Sequence, residues 1–338
     1  MSFGFRLAVT LIAVAFLAVV FTSFSRPPVA TSQNGYRGTG MDQVFNPRTV
    51  AAAQDVNALP EEVAPQDNSG QLSSQDYKNI QVLKNVDANE LLRLMQAMTD
   101  WVAPSQGCNY CHNPDDLAAD NLYTKIVARQ MLRMTQHINM TWKSHVSETG
   151  VTCFTCHRGQ PVPTFIWFQN PGPMQAGGMA ETGTGQNMPA PSVGLTSLPY
   201  DPLATFLATR DDVRVVSTTA LPDGSGKSIK SAEATYGLMM YMSEALGVNC
   251  TYCHNTRSFT SWDQSTPQRA IAWYGIRMVR DLIANFLEPL KQHFPVERLG
   301  VAGDVPKLAC GTCHKGFALP LNGASMVKDY PELRTSTE

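Results

Sequence analysis

Four segments of this chain share one pattern: two cysteines separated by two residues, then histidine at once. They are Cys108-Asn-Tyr-Cys111-His112, Cys153-Phe-Thr-Cys156-His157, Cys250-Thr-Tyr-Cys253-His254 and Cys310-Gly-Thr-Cys313-His314. All 8 cysteines fall in these segments. The pattern is the attachment signature of c-type haem. Two thiols bond to the porphyrin edge, and the adjacent imidazole approaches the iron from one face. Cysteine pairs also build zinc sites and thiol–disulfide exchange centres. The histidine decides between these readings, because the whole chain has only 7 histidines and one follows every pair. Four covalently bound haem c groups are expected.

The second face of each iron needs its own ligand, and that ligand sets the potential. Methionine raises the potential relative to a second histidine, and an open position permits catalysis. The chain has 15 methionines, so position within repeated sequence is the better guide. Leu94-Met95 with Met98 precedes the first motif as Leu238-Met239 with Met242 precedes the third. Ile126-Val-Ala-Arg-Gln-Met131-Leu-Arg133-Met134 is similar to Ile271-Ala-Trp-Tyr-Gly275-Ile-Arg277-Met278. Met95 and Met239 therefore stand at matching places, with Met98, Met240 and Met242 as core packing. Met131 falls opposite Gly275, so the fourth motif lacks the methionine. His137, His145, His293 and Met278 are the residues open for it on spacing alone.

Positioning these ligands calls for helices beside each motif. Leu91, Leu92, Met95 and Met98, and again Ile126, Met131 and Met134, have helical spacing. The reading is mainly α with extensive irregular loops and few strands, built from two pseudo-repeated two-haem modules. Residues 76–160 form module 1 and residues 201–320 module 2. Between them, residues 161–200 form a Gly/Pro-rich linker. Residues 26–75, rich in Pro, Gln, Asn, Ser and Gly, read as an extended arm lying on something or partly disordered. Residues 321–338 read as a polar tail.

From Phe3 to Phe24 the only charge is Arg6. Twenty-two helical residues span about 33 Å, enough for a bilayer core. A cleaved signal peptide is the competing reading, and its apolar core is usually shorter. No small-x-small cleavage site closes the run, so residues 1–25 are expected to stay as a transmembrane anchor. Arg6 precedes the run and Arg26 follows it, so charge does not orient it. A cysteine-linked lipid anchor is excluded, since no cysteine lies outside the motifs. Haem c attachment occurs outside the cytoplasmic membrane, which places the motifs in the periplasm. Net charge is −2, and no basic patch suggests nucleic acid.

At this point the chain resembles the tetrahaem cytochrome subunit of purple-type bacterial photosynthetic reaction centres, from about Leu83 to Pro320. The most specific segments are Thr99-Asp-Trp-Val-Ala-Pro-Ser-Gln-Gly-Cys108, Glu148-Thr-Gly-Val-Thr-Cys-Phe-Thr-Cys-His-Arg-Gly159 and Ser265-Thr-Pro-Gln-Arg-Ala-Ile-Ala-Trp273. The resemblance implies three His/Met irons, His112/Met95, His157/Met131 and His254/Met239, and one bis-His iron, His314/His145. It implies an electron carrier, not an enzyme, on the periplasmic face of the inner, photosynthetic membrane. Electrons would pass from a soluble c-type cytochrome or high-potential iron–sulfur protein to the photo-oxidised bacteriochlorophyll special pair, held by the core membrane subunits. The third-motif haem would lie nearest the pair, then the fourth, the second and the first. Arg269 matches a family position near the third haem. Asp115, Asp116 and Asp120 follow His112 and could steer a basic donor. Many family members carry an N-terminal lipid-linked cysteine that this chain lacks, and its linker looks long. A periplasmic multihaem oxidoreductase would need one five-coordinate iron. A quinol-oxidising tetrahaem cytochrome would carry its motifs close to the anchor.

Overall fold

A computed structural model of the chain describes residues 3–23, 28–35, 41–170, 190–216 and 227–335. Ten α-helices are described among them, and the strands are few, as expected: β1 (Ala30–Gln33) and β2 (Asp42–Phe45) form one antiparallel hairpin with Ala30 opposite Phe45. α1 (Phe3–Ser23) is 21 residues of almost unbroken apolar sequence with no buried residue. At about 1.5 Å per residue it matches a bilayer core in length. It is the one described helix long and apolar enough to cross a membrane.

The body gathers around two apolar clusters. α4 (Ala88–Val102) starts on Asp87, whose carboxylate accepts from the Asn89 amide at 2.9 Å and also takes Ser69 and Gly70 amides. These bonds hold its pKa below the usual carboxylate range. Its buried face is Leu91, Leu94, Ala97 and Trp101, spaced three and four apart as a packed helix requires. Full burial of a leucine such as Leu94 contributes about 1.5–3 kcal/mol. Leu83, Phe154, Val327 and Leu333 complete that cluster. The second cluster is built on α8 (Ile229–Leu246) and α9 (Pro267–Leu282), joined by Ile138 of α5 (Tyr123–Thr141). The short helix α6 (Lys143–Val146) follows α5 and packs on α9.

Two segments differ from their sequence reading, the tail and the start of the linker. The stretch beginning at residue 321, read as a polar tail, is core: Leu321, Val327 and Leu333 are essentially fully buried. Tyr330 meets Trp101 edge-on at 4.8 Å and lies under the Arg93 guanidinium at 4.2 Å. Gln136 and Asn139 of α5 donate to the Glu332 and Leu333 carbonyls at 3.0 and 2.8 Å. The apolar residues here occupy 3₁₀ turns, so they show neither helical nor strand period.

The arm is tied to the body. Asn57 is buried and accepts from the Leu321 amide at 3.2 Å, while Arg93 donates to Val63 O at 3.1 Å. The start of the linker also belongs to the body: Trp167 and Lys307 exchange backbone hydrogen bonds, both at 2.9 Å. The middle of the linker's Gly/Pro run, from Pro171 to Pro189, lies outside the described residues.

Candidate haem-binding site

Each motif histidine is oriented by the chain in the same way. His112 Nδ1 lies 3.1 Å from Leu117 O and His254 Nδ1 lies 3.0 Å from Phe259 O. His157 and His314 Nδ1 lie 2.8 Å from Gln160 O and Phe317 O. A carbonyl only accepts, so Nδ1 carries the proton and Nε2 keeps its lone pair. That is the tautomer an iron ligand needs, with the ring fixed by its own backbone. Burial pushes the pKa of His157, His254 and His314 down, to about 4 for His314. These imidazoles are neutral at physiological pH and available to a metal.

The four motifs fall into two kinds. The first and third form 3₁₀ turns, Gly107–Tyr110 and Cys250–Tyr252, and each histidine reaches the carbonyl five residues on. The second and fourth form short α-helices, α7 (Cys153–His157) and α10 (Cys310–His314), and each histidine reaches the carbonyl three residues on. Thr155 and Thr312 accept from the N-cap amides of Thr152 and Ala309 at 3.0 and 2.9 Å. Arg158 and Lys315 end the two helices in left-handed conformation. Gly159 N then donates to Trp101 O, six residues past Met95, and Gly316 N donates to Ala245 O, six residues past Met239.

Met95, His112, Met131 and His157 all line one cavity of about 710 Å³, together with the thiols of Cys108, Cys111 and Cys153. That is the size and largely apolar character of a cofactor site. Met98 and Met134 line it too, so the cavity alone does not choose among the thioethers. Met239 is half-buried on α8 against the second cluster, and His254 lies beyond that helix's end with its ring 5.5 Å from Phe259.

At the fourth motif the open residues lie in different surroundings. His145, on α6, faces His314 with ring centroids 6.0 Å apart. Two metal–imidazole bonds of about 2 Å laid end to end, plus the half-width of each ring, span that separation. His145 Nδ1 meets Ile271 O at 2.9 Å, which again leaves Nε2 free. His137 is occupied with Asp281 at 2.6 Å, the His293 ring meets Gln292, and Met278 is buried in the core.

One pair departs from expectation. Cys156 and Cys313 are joined as a disulfide, with Cα atoms 4.4 Å apart. The sequence reading assigns these sulfurs to two different porphyrins, and a sulfur in a disulfide cannot also form a thioether. The cause is proximity: α7 and α10 pack side by side, so the second thiols of their motifs meet. Sequence spacing, with 157 residues between them, carries no signal of this.

Arg269 lies within electrostatic reach of Cys253 and His254. Its guanidinium donates to Ser261 O at 2.8 Å and Ser265 Oγ at 2.7 Å and stacks over Trp262 at 4.1 Å. Asp115 and Asp116 are exposed in the turn after His112, where Asp116 caps Ala118 N at 2.9 Å. Asp120 is instead committed to Arg129 at 2.8 Å and Lys125 at 3.3 Å.

Sequence reasoning missed the grip of the arm on the third motif. Gln43 and Asn249 bond reciprocally, with Asn249 N donating to Gln43 Oε1 at 2.8 Å and Gln43 Nε2 donating to Asn249 O at 3.5 Å, while Asn249 Oδ1 accepts from Val44 N. Thr251 Oγ1, inside the motif, donates to Asp42 O at 2.7 Å.

The model of the family described as "Photosynthetic reaction centre cytochrome C subunit" matches residues 25–334. The chain belongs to that family. It is 52% identical to the photosynthetic reaction center cytochrome c subunit of Rubrivivax gelatinosus, over 99% of this chain and 91% of that one. Against the subunits of the same name from Thermochromatium tepidum and Roseobacter denitrificans, identity is 46% and 40%, over 94% and 99% of this chain and 78% and 94% of theirs. As a member of this family the chain is a haem c protein and an electron-transfer subunit of a photosynthetic reaction centre, associated with its membrane. The single apolar helix α1 suits that association.

Proposed function

We propose that the chain holds four haem c groups in a line and passes electrons from a soluble periplasmic donor to the photo-oxidised special pair of the reaction-centre core. Haem c supplies a one-electron couple at each iron. The observation that carries this reading is the order in which the motifs adjoin. The third and fourth meet where Gly316 N bonds Ala245 O, four residues before Asn249. The fourth and second meet where Cys313 touches Cys156. The second and first share the cavity that holds His157 and His112. That chain of neighbours, third–fourth–second–first, agrees with the order implied by the resemblance, the third nearest the pair.

The two kinds of motif, alternating in sequence with matched caps and matched glycine bonds, support a duplicated two-haem module. By that register His112/Met95, His157/Met131 and His254/Met239 cap three irons and His314/His145 the fourth. All eight cysteines serve as attachment points, Cys156 and Cys313 among them, each as a thiol that adds to its own porphyrin. With every iron capped on both faces, no position remains for substrate, which disfavours an oxidoreductase. α1 anchors the haem body on the periplasmic side.

Flash excitation of membranes carrying the subunit tests this. The expected result is rapid oxidation of a haem, with four haems per chain by mass. Absence of any flash-induced haem oxidation would remove the assignment.

A further inference from the structure

Lys125 is a buried cation on the first motif that the electron-transfer reading has not used. It sits in the first turn of α5 with a side chain 9% exposed. Its ammonium donates to Leu117 O and to Ala119 O, both at 2.8 Å, and lies 3.3 Å from Asp120. Leu117 O is the carbonyl that takes the Nδ1 proton of His112. One oxygen therefore serves the imidazole and the ammonium together.

The third motif provides the contrast. Thr124 on α5 donates to Tyr110 O, and Thr266, beside α9, donates to Tyr252 O, so these threonines occupy equivalent places. The next residue is Lys125 in one case and Pro267 in the other. The cation of the third site, Arg269, binds Ser261 O, two residues beyond the carbonyl that orients His254. Among the described residues, only the first motif has a cation on the orienting carbonyl itself.

We infer that Lys125 is a positioning residue that raises the potential of the first haem through Leu117 O and His112. Two effects act with the same sign. An ammonium on the shared oxygen draws electron density from it and weakens its pull on the Nδ1 proton. His112 is then a poorer donor to iron, which favours the reduced state. The buried positive charge also favours the iron form of lower charge. Its bonds to two loop carbonyls hold residues 117–119 in place for the same contact.

This inference rests on His112 carrying a haem, and the test separates the two. Lys125→Met, Lys125→Gln and Lys125→Arg are made in the full subunit, and each haem is titrated in membranes. Lys125→Met is expected to lower the reduction equilibrium constant of the first haem about tenfold, which is 59 mV for one electron, with the other three unmoved. Lys125→Arg restores most of the shift, and Lys125→Gln, which keeps a neutral donor, falls between. In reduced protein labelled with ¹⁵N-histidine, the Nδ1–H signal of His112 moves in Lys125→Met and returns in Lys125→Arg. If Lys125→Met does not assemble, Lys125→Gln carries the test. Four haems with an unmoved first midpoint, or equal movement of all four, would overturn the inference. Three haems in the unaltered chain, with the first motif bare, would instead overturn the haem assignment beneath it.

Discussion

His145 lies directly against Gly275: a Cβ on residue 275 would stand 2.6 Å from Cε1 of the imidazole and 3.2 Å from its Nε2. Gly275 is the position that corresponds to Met131 in the repeated helix. The side chain absent from α9 leaves the space that a histidine from the other half of the chain fills. We predict that Gly275→Ala displaces His145 and shifts the midpoint of the fourth haem, even though alanine favours a helix by about 1 kcal/mol over glycine. Gly275→Met should go further and convert that haem to His/Met ligation at a higher potential. Redox titration with ferric near-infrared spectra reads both changes. An unaltered fourth haem in Gly275→Met would mean that His145 is not its ligand.

Removing the imidazole asks the complementary question. In His145→Ala the fourth iron should have one open face, and the reduced subunit should bind carbon monoxide at one haem in four. The unaltered subunit should bind none. Carbon monoxide binding by the unaltered subunit would revive the oxidoreductase reading.

At the third haem two changes should act in the same direction by different routes. Met239→His exchanges a thioether for an imidazole and lowers the midpoint. Arg269→Leu removes a half-buried cation within reach of His254 and lowers it too, by less, because the Arg269 guanidinium is held on Ser261 O, Ser265 Oγ and the Trp262 face and is not bonded to His254 or its orienting carbonyl among the described residues. A shift confined to another haem in either variant would reassign the residue.

Donor docking separates three acids that sequence placed together. Asp115 and Asp116 are free to act at a distance, whereas Asp120 is neutralised by Arg129 and Lys125. Asp115→Lys with Asp116→Lys should slow second-order reduction by a basic donor several-fold at low salt, with the effect fading as ionic strength rises. Asp120→Asn should change the rate less and loosen the loop more. Stopped-flow reduction across a salt series measures this, and a rate unchanged at low salt in the double variant would discard the acidic patch.

How much of this was legible follows from where the information sits. The motifs, the repeat register and the gap at Gly275 are local patterns; they left His137, His145, His293 and Met278 open, and only the family resemblance pointed to His145. α1 was equally plain, because a run of apolar residues with one arginine has few other uses. The burial of Leu321, Val327, Tyr330 and Leu333 was not legible, since 3₁₀ turns give no period to count. The meeting of Cys156 with Cys313, and of Gly247 with Gly316, was hidden for another reason. A Cβ on Gly247 would stand 2.0 Å from Gly316 O, yet that requirement comes from a partner 69 residues away, and only the fold brings it near. The hairpin that holds Asn249 depends in the same way on side-chain reciprocity across the chain.

Glu332 gives a prediction about stability and pH that is independent of the haems. It is 6% exposed, and neither carboxylate oxygen has a hydrogen-bond partner among the described residues. Burial, with a smaller contribution from Glu90 and opposition from Arg93, raises its pKa from 4.5 to about 7. The folded chain thus holds a proton that the unfolded chain releases at lower pH. The stability this supplies is complete below 4.5 and is lost as pH rises through about 7, amounting to about 3 kcal/mol across that window. Glu332→Gln keeps the shape without the charge, so it should raise the melting temperature at pH 8 and have little effect at pH 4. Thermal melts of the solubilised subunit at the two pH values measure the difference, and an equal shift at both would show that the Glu332 carboxyl does not change its protonation on folding.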